Sequence, residues 1–424
     1  MVSPNPGMLL PFALLLGAMA LAPLLAPQWW RRHYGKISFG LGAVTLAYYL
    51  LILRDAPRVL HTAHDYAGFI ALVGSLYVVS GGIHLRLKGP STPATNVIFL
   101  LAGAVTANFL GTTGAAMLLI RPWIRLNRHR AAAHHLVFFI FVVANAGGCL
   151  TPIGDPPLFL GYLQGVPFWW VAEHCWPMWA VGVGMLLALF YLVDRVHSRG
   201  ARGGKCEGRS EPCEGRGAEG LKIEGWSNLF FLAVILAAVF VERPAFLREI
   251  MMAAAAAGSY FTTPKPVHEA NQFDFHPIQE VAVLFAGVFA TMMPALDWLN
   301  GKAPEVLGAN PSPAVFYWGA GGLSSVLDNA PTYLGFLSAL HGVAGAQDVP
   351  GLLATHGHCV LAISVGAVFF GAATYIGNGP NFMVKAIADQ QQIRTPSFPG
   401  FVLKYTVPFL LPALAAIWLL FFRS

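Results

Sequence analysis

The run Gly147-Gly-Cys-Leu-Thr-Pro-Ile-Gly-Asp-Pro-Pro157 lies at the centre of an apolar stretch extending over 135–165. The stretch is long enough to cross a bilayer, yet its glycines, Asp155 and three prolines cannot continue a helix through the middle. At membrane depth such a break leaves backbone N–H and C=O groups unpaired, which is tolerated only inside protein or beside a water-filled cavity. A counterpart, Tyr375-Ile-Gly-Asn-Gly-Pro-Asn381, interrupts the segment 357–388, and Ile153–Pro157 lines up with Ile376–Pro380. Two more apolar segments carry polar centres: Thr106-Ala-Asn-Phe-Leu-Gly-Thr-Thr-Gly114 within 95–120, and Ser324-Ser-Val-Leu-Asp-Asn-Ala-Pro-Thr332 within 313–340. Here Thr106-Ala aligns with Ser324-Ser. Interrupted segments recurring in the same order in two halves point to a transporter site near the midplane.

Working outward, the 424 residues are 56% hydrophobic and 11% charged, less than half the roughly 25% charge of a soluble domain. Mean hydropathy is +0.59. This composition excludes an ordinary soluble globule, extended disorder, a collagen-like repeat and a disulfide scaffold. Cysteines at 149, 175, 206, 213 and 359 form no metal-ligand pattern. The other apolar segments lie near 8–27, 37–53, 66–85, 173–193, 226–241, 246–260, 278–296 and 403–422. The first lacks a basic leader and reads as a spanning helix, not a secretory signal. The stretch 195–222, with seven basic and four acidic residues, reads as a flexible linker. The chain thus divides into a first membrane repeat, 1–194, the linker, and a second, inverted repeat, 223–424.

Charge sets the topology. If 95–120 and 313–340 are re-entrant hairpins and the other segments cross, the inside loops hold 19 Lys and Arg and the outside loops 6, as the positive-inside rule requires. Were 95–120 to cross, Arg121, Arg125, Arg128 and Arg130 would fall outside. The expected fold is therefore an all-α polytopic membrane protein of two inverted repeats. Each repeat has about five spanning helices, one re-entrant helical hairpin and one broken helix. Both termini are expected outside and the linker in the cytoplasm, in the cell (inner) membrane. The net charge of +6 marks orientation and not nucleic-acid binding.

The chemistry rests on Asp155 and Asp328, because an acid at bilayer depth costs about 2.5–3.5 kcal/mol on insertion scales and marks function. A hard cation such as sodium wants oxygen ligands. Besides the two carboxylates, Asn108, Thr112, Thr113, Thr151, Asn329, Thr332, Asn378 and Asn381 could supply them. Proton and cation excluding one another at that site would suffice for exchange. Each choice has a plainer reading. Asp155, beside two prolines, can cap a half-helix, whereas Asp328 sits mid-segment with no easy surface escape. The asparagines and threonines can satisfy broken backbone. Glu280 is a candidate for the proton path. Lys385 is a candidate counter-ion that can instead snorkel or pair with another Asp. His134 and His135 read as interfacial bystanders beside an inside loop, and Asp194, at the inner boundary, as a residue of little consequence. No phosphate loop, HExxH or CxxC pair indicates an ATPase or metalloenzyme, and no cofactor is expected.

These residues also carry a family resemblance. Gly111-Thr-Thr-Gly-Ala-Ala-Met-Leu-Leu-Ile-Arg-Pro122, Leu150-Thr-Pro-Ile-Gly-Asp-Pro-Pro-Leu-Phe-Leu-Gly161, Pro277-Ile-Gln-Glu-Val-Ala-Val-Leu-Phe-Ala-Gly287 and Leu327-Asp-Asn-Ala-Pro-Thr332 resemble the ion transporter superfamily. The closest likeness is to NhaD-type sodium/proton antiporters and the related citrate transporters. The resemblance implies hairpin tips meeting broken helices at a central site, and a homodimer in lipid. Dicarboxylate carriers of the superfamily show Ser-Asn-Thr at each tip; Gly111-Thr-Thr and Asp328-Asn-Ala-Pro-Thr depart from it. The first expectation is exchange of sodium or lithium for protons. The second is a carrier of citrate or another organic anion, with arsenite efflux behind it. Two acids and no buried Arg in the site disfavour a bare polyanion, an objection that a metal–citrate complex or coupled sodium softens. A membrane aspartyl protease, which also uses two acids, has no use for paired hairpins.

Overall fold

The computed structural model describes residues 4–89, 91–203, 220–241, 243–308, 311–345 and 348–423. Among these, eight helices are long and apolar enough to cross a membrane. The protein is an all-α polytopic membrane protein. The first half contains α1 (Leu10–Leu25), α2 (Pro27–Ala47, running on as a π-helix to Leu53), α3 (Ala56–Gly81), α4 (Pro93–Leu126), α5 (Ala133–Val142), α6 (Pro156–Leu163) and α7 (Phe168–Gly203). The second contains α8 (Ser227–Ala238), α9 (Leu247–Thr262), α10 (Lys265–Ala270), α11 (His276–Leu307), α12 (Pro313–Ser324), α13 (Asn329–Ala344), α14 (Val349–Phe370) and α15 (Gly379–Gln390), then a final helical segment over Phe398–Phe422. Helix starts follow local chemistry: Asp55, Thr92 and Asp348 accept from backbone N–H groups of the first turn, with Pro57, Pro93 and Pro350 close behind.

Residues 28–36, which separate the apolar segments 8–27 and 37–53, form the first turns of α2, since Pro27 opens a new helix directly after Ala26. The segment 195–222 is also more ordered at its ends than a linker reading implies. Its first residues extend α7, and its last belong to a strand, β2 (Gly220–Glu224), paired antiparallel with β1 (His84–Lys88). Cys206 and Cys213 lie outside the described residues.

A straight helix the length of α4, 34 residues, would span about 51 Å. Yet Ser91 Oγ donates to Asn127 Oδ1 at 2.7 Å, and Asn96 Nδ2 donates to the same oxygen at 2.8 Å. The two ends touch, so α4 is a hairpin. Its turn is Gly111, at φ +71° and ψ 158°, outside the range of L side chains. The second hairpin is α12 and α13 joined through residues 325–328, with Gly319 packed under Phe336. The broken helices are equally clear. α5 leads through a tight turn at Ala146–Leu150 into the break before α6; α14 leads through Gly371–Ala373 into the break before α15.

Hydrogen bonds give the repeat register. Thr151 Oγ1 donates to Asn108 O and Thr374 Oγ1 to Ser325 O, both at 2.7 Å, while Gly154 N and Gly377 N bond back to these threonines. Ile153–Pro157 therefore matches Ile376–Pro380 as expected. The hairpin alignment moves by one residue: Asn108 matches Ser325, so Ser324 matches Ala107 and not Thr106. Thr106 bonds to Ala102 O within its own helix, whereas Ser324 reaches Ala367 O on α14, so their chemical likeness misled the alignment. The halves also interlock along α2, α3 and α11. Ser38 Oγ and Tyr66 Oη donate to the α11 carbonyls of Val283 and Ala282, and Tyr49 and Arg58 both reach Asp297.

If α4 re-enters, cysteines at exposed Gly89 and Arg128 will react with an impermeant maleimide from the same face of oriented vesicles. If the second repeat is inverted, a cysteine at exposed Ser312 will react from the opposite face. Opposite-side labelling of Gly89→Cys and Arg128→Cys would remove the hairpin.

Candidate functional site

Each of the four interruptions contributes one side chain to a single point, the carboxylate of Asp155. Asp155 opens α6 from an extended conformation, with φ −144° and ψ 143°, which turns its side chain inward instead of onto the first turn of the helix. It is fully buried. Thr112 Oγ1, just past the Gly111 turn, donates to Oδ1 at 2.7 Å. Asn329 Nδ2, at the tip of the second hairpin, donates to Oδ2 at 2.6 Å. Asn378 Nδ2, from the second break, donates to Oδ1 at 3.1 Å. An ionised carboxylate offers about four lone-pair directions, so three donors leave room for one further partner. The Asn329 amide oxygen is buried and has no hydrogen-bond partner among the described residues. A buried acceptor without a donor is costly and suits a cation.

The other anticipated residues divide sharply. Thr113 and the backbone around Gly111 and Ile153 line a cavity of about 20 Å³ that reaches Asp155, room for a single water-sized occupant. Asn108 and Thr151 stitch the first break to its hairpin. Asn108 Nδ2 donates to Ala104 O and Gly147 O, and Asn108 Oδ1 accepts from Leu150 N. Asn381 does the same in the second break, donating to Gly371 O and Thr374 O. Thr332 donates to Asp328 O within its own helix. Asp328 is the N-cap of α13, accepting from Ala330 N at 3.1 Å. Both acids were expected at the ion site, with capping as the plainer reading of Asp155; in the structure it is Asp328 that caps a helix, and Asp155 makes no side-chain cap bond.

Glu280 and Lys385 are not brought to this point. Glu280 lies on the face of α11 that meets α2, near Arg31 and Tyr34. Lys385 donates to Asp389 at 2.6 Å, the pairing with another acid that sequence allowed.

Sequence reading missed Asn145, which is fully buried between α5 and the first break. It donates to Ile140 O at 2.8 Å and Asn381 Oδ1 at 2.7 Å, and accepts from Asn378 Nδ2 at 3.1 Å. It therefore joins the two broken helices and orients Asn378 toward Asp155. The available signal was one asparagine inside the apolar run 133–150. Asp194 was misjudged as well. It is fully buried, with Arg130, Asn96 and two histidines around its carboxylate, where α7 packs against α4 and α5.

Paired hairpins, paired broken helices and a polar point between them define a polytopic membrane protein with the architecture of a secondary transporter. A family model described as "Putative citrate transport" matches residues 5–422, and the chain belongs to that family. No match was found among curated proteins.

Replacing Asn145 by Leu takes the donor from Asn381 Oδ1 and one of three acceptors from Asn378 Nδ2, at about 1–3 kcal/mol for a buried group left unmet. The expected outcome is a lower thermal unfolding midpoint of the detergent-solubilised protein by size-exclusion melt. An unchanged midpoint would show that the asparagine bridge carries no stability.

Proposed function

We propose that this protein is a cation-coupled secondary transporter in which Asp155 binds a proton and a sodium or lithium ion in alternation. The observation that carries this reading is the meeting of all four interruptions at one buried carboxylate. A cation there has the carboxylate, the free amide oxygen of Asn329 and nearby hydroxyls as hard oxygen ligands. Protonation of the same carboxyl group removes the charge that holds the cation, so the two occupants exclude one another. Thr112 and Asn329 come from different hairpins. If the hairpins open to opposite faces, withdrawal of either one uncovers Asp155 to one side while the other still covers it, which is alternating access.

The family description favours a second reading, an organic-anion carrier. Citrate and Asp155 are both anions and would repel in a poorly screened site. Among the described residues no Arg or Lys bonds to Asp155. Citrate therefore requires a cation at Asp155 as a bridge, and far more room than the cavity gives. In this reading the same carboxylate binds the coupling or complexed metal ion.

Transport assays in inverted membrane vesicles separate the two. A pH-sensitive dye reports proton movement on addition of sodium, lithium or potassium; labelled citrate, offered with and without sodium or magnesium, reports anion uptake. Asp155→Asn keeps the shape and loses both charge and exchangeable proton. It should reduce cation-driven proton movement by about 100-fold, equivalent to ~3 kcal/mol of charged interaction. Asp328→Asn should retain most activity, because Asn caps helices about as well as Asp. Near wild-type exchange in Asp155→Asn would overturn the mechanism. Cation-dependent citrate uptake without cation-driven proton movement would favour the carrier.

A further inference from the structure

Well away from Asp155 in sequence and hydrogen bonding, a second polar cluster joins the base of the α4 hairpin to α5 and α7. Asp194 is its hub. Arg130 Nη2 donates to Asp194 Oδ2 at 2.7 Å and Asn96 Nδ2 to the same oxygen at 3.1 Å. The other oxygen, Oδ1, faces two imidazoles: His134 Nε2 at 3.2 Å and His135 Nε2 at 3.1 Å. Both histidines are buried, 5% and 3% exposed, and their ring centroids are 4.1 Å apart. His135 Nε2 has no well-aligned hydrogen-bond partner among the described residues, nor has Asn96 Oδ1. A third imidazole, exposed His197, lies one turn beyond Asp194 on α7 with its ring 5.2 Å from that of His134.

We propose that His134, His135, Asp194 and His197 form a binding site for a divalent transition metal of the zinc type. Zinc takes imidazole nitrogen and carboxylate oxygen at about 2.0–2.2 Å in a tetrahedron, which spaces neighbouring ligands by roughly 3.3 Å. The two nitrogens already stand 3.1 and 3.2 Å from Asp194 Oδ1. Arg130 and Asn96 on Oδ2 orient the carboxylate, as outer partners of metal ligands do. His135 Nδ1 accepts from Ala132 N at 3.2 Å, so in the metal-free chain the ring proton sits on Nε2. Capture moves that proton to Nδ1 as the backbone contact opens. His134 and Asp194 therefore bind first, and His197 closes the tetrahedron from the accessible side. Metal here would pin α5 and α7 to the hairpin base, where Ser91 and Asn127 already meet.

The test uses tag-free, full-length protein in detergent, with zinc titrated against a chromophoric chelator and zinc-edge X-ray absorption on the loaded sample. One tight equivalent with imidazole scattering is expected, and His197→Ala and His134→Gln should each weaken it by about tenfold or more. His197 is exposed, so its variant reports on binding even if His134→Gln fails to fold. Wild-type affinity in His197→Ala, or bound zinc without imidazole ligands, would overturn the proposal.

Discussion

The structure is organised around the problem of keeping one carboxylate inside a membrane protein. Asp155 is fully buried, and an acid in that position persists only if it is compensated. Compensation comes from Thr112, Asn329 and Asn378, and each of these must break a helix or a hairpin to arrive there. The helical interruptions are thus the consequence of bringing short polar side chains from four directions to one point. Their freed backbone groups are then satisfied by Asn108, Thr151, Thr374 and Asn381, so the site and its scaffold are one hydrogen-bonded unit.

That unit is nearly two-fold, and its asymmetry is informative. Thr112 and Asn329 hold matching places in the two hairpins, and Asp155 and Asn378 hold matching places in the two breaks. Symmetry supplies the geometry, while the difference at the breaks, acid in one half and amide in the other, supplies the charge. Two acids facing one another would add repulsion; one acid with its amide counterpart gives a donor where the second charge would be.

The broad fold was legible because membranes impose simple rules. Apolar length located most segments, Gly and Pro located the breaks, and Lys and Arg distribution required 95–120 to fold back. The convergence of Thr112, Asp155, Asn329 and Asn378 was also legible, since equivalent interruptions of inverted halves meet. Side-chain direction was not. Whether Asp155 or Asp328 caps a helix depends on the φ and ψ of one residue at a break, which spacing does not encode. Asn145 and Asp194 were undervalued for a related reason: their partners come from distant segments, and a polar residue near a helix end looks ordinary until those segments pack.

The breaks differ mechanically from the hinges that interrupted helices suggest. A Cβ on Gly154 would overlap Gly148 O, and one on Gly377 would lie 2.6 Å from both Gly371 O and Ser324 O. Backbone is pressed against backbone at both crossings, leaving no slack for bending. Such a joint behaves as a rivet and not as a pivot. Each broken helix and the tip it clasps then form a stiff bracket, and around Asp155 the two brackets are joined through side chains: Asn329 and Asn378 to Asp155, and Asn145 to Asn378 and Asn381. A change of charge at that carboxylate would therefore act on the side-chain seam between two stiff brackets.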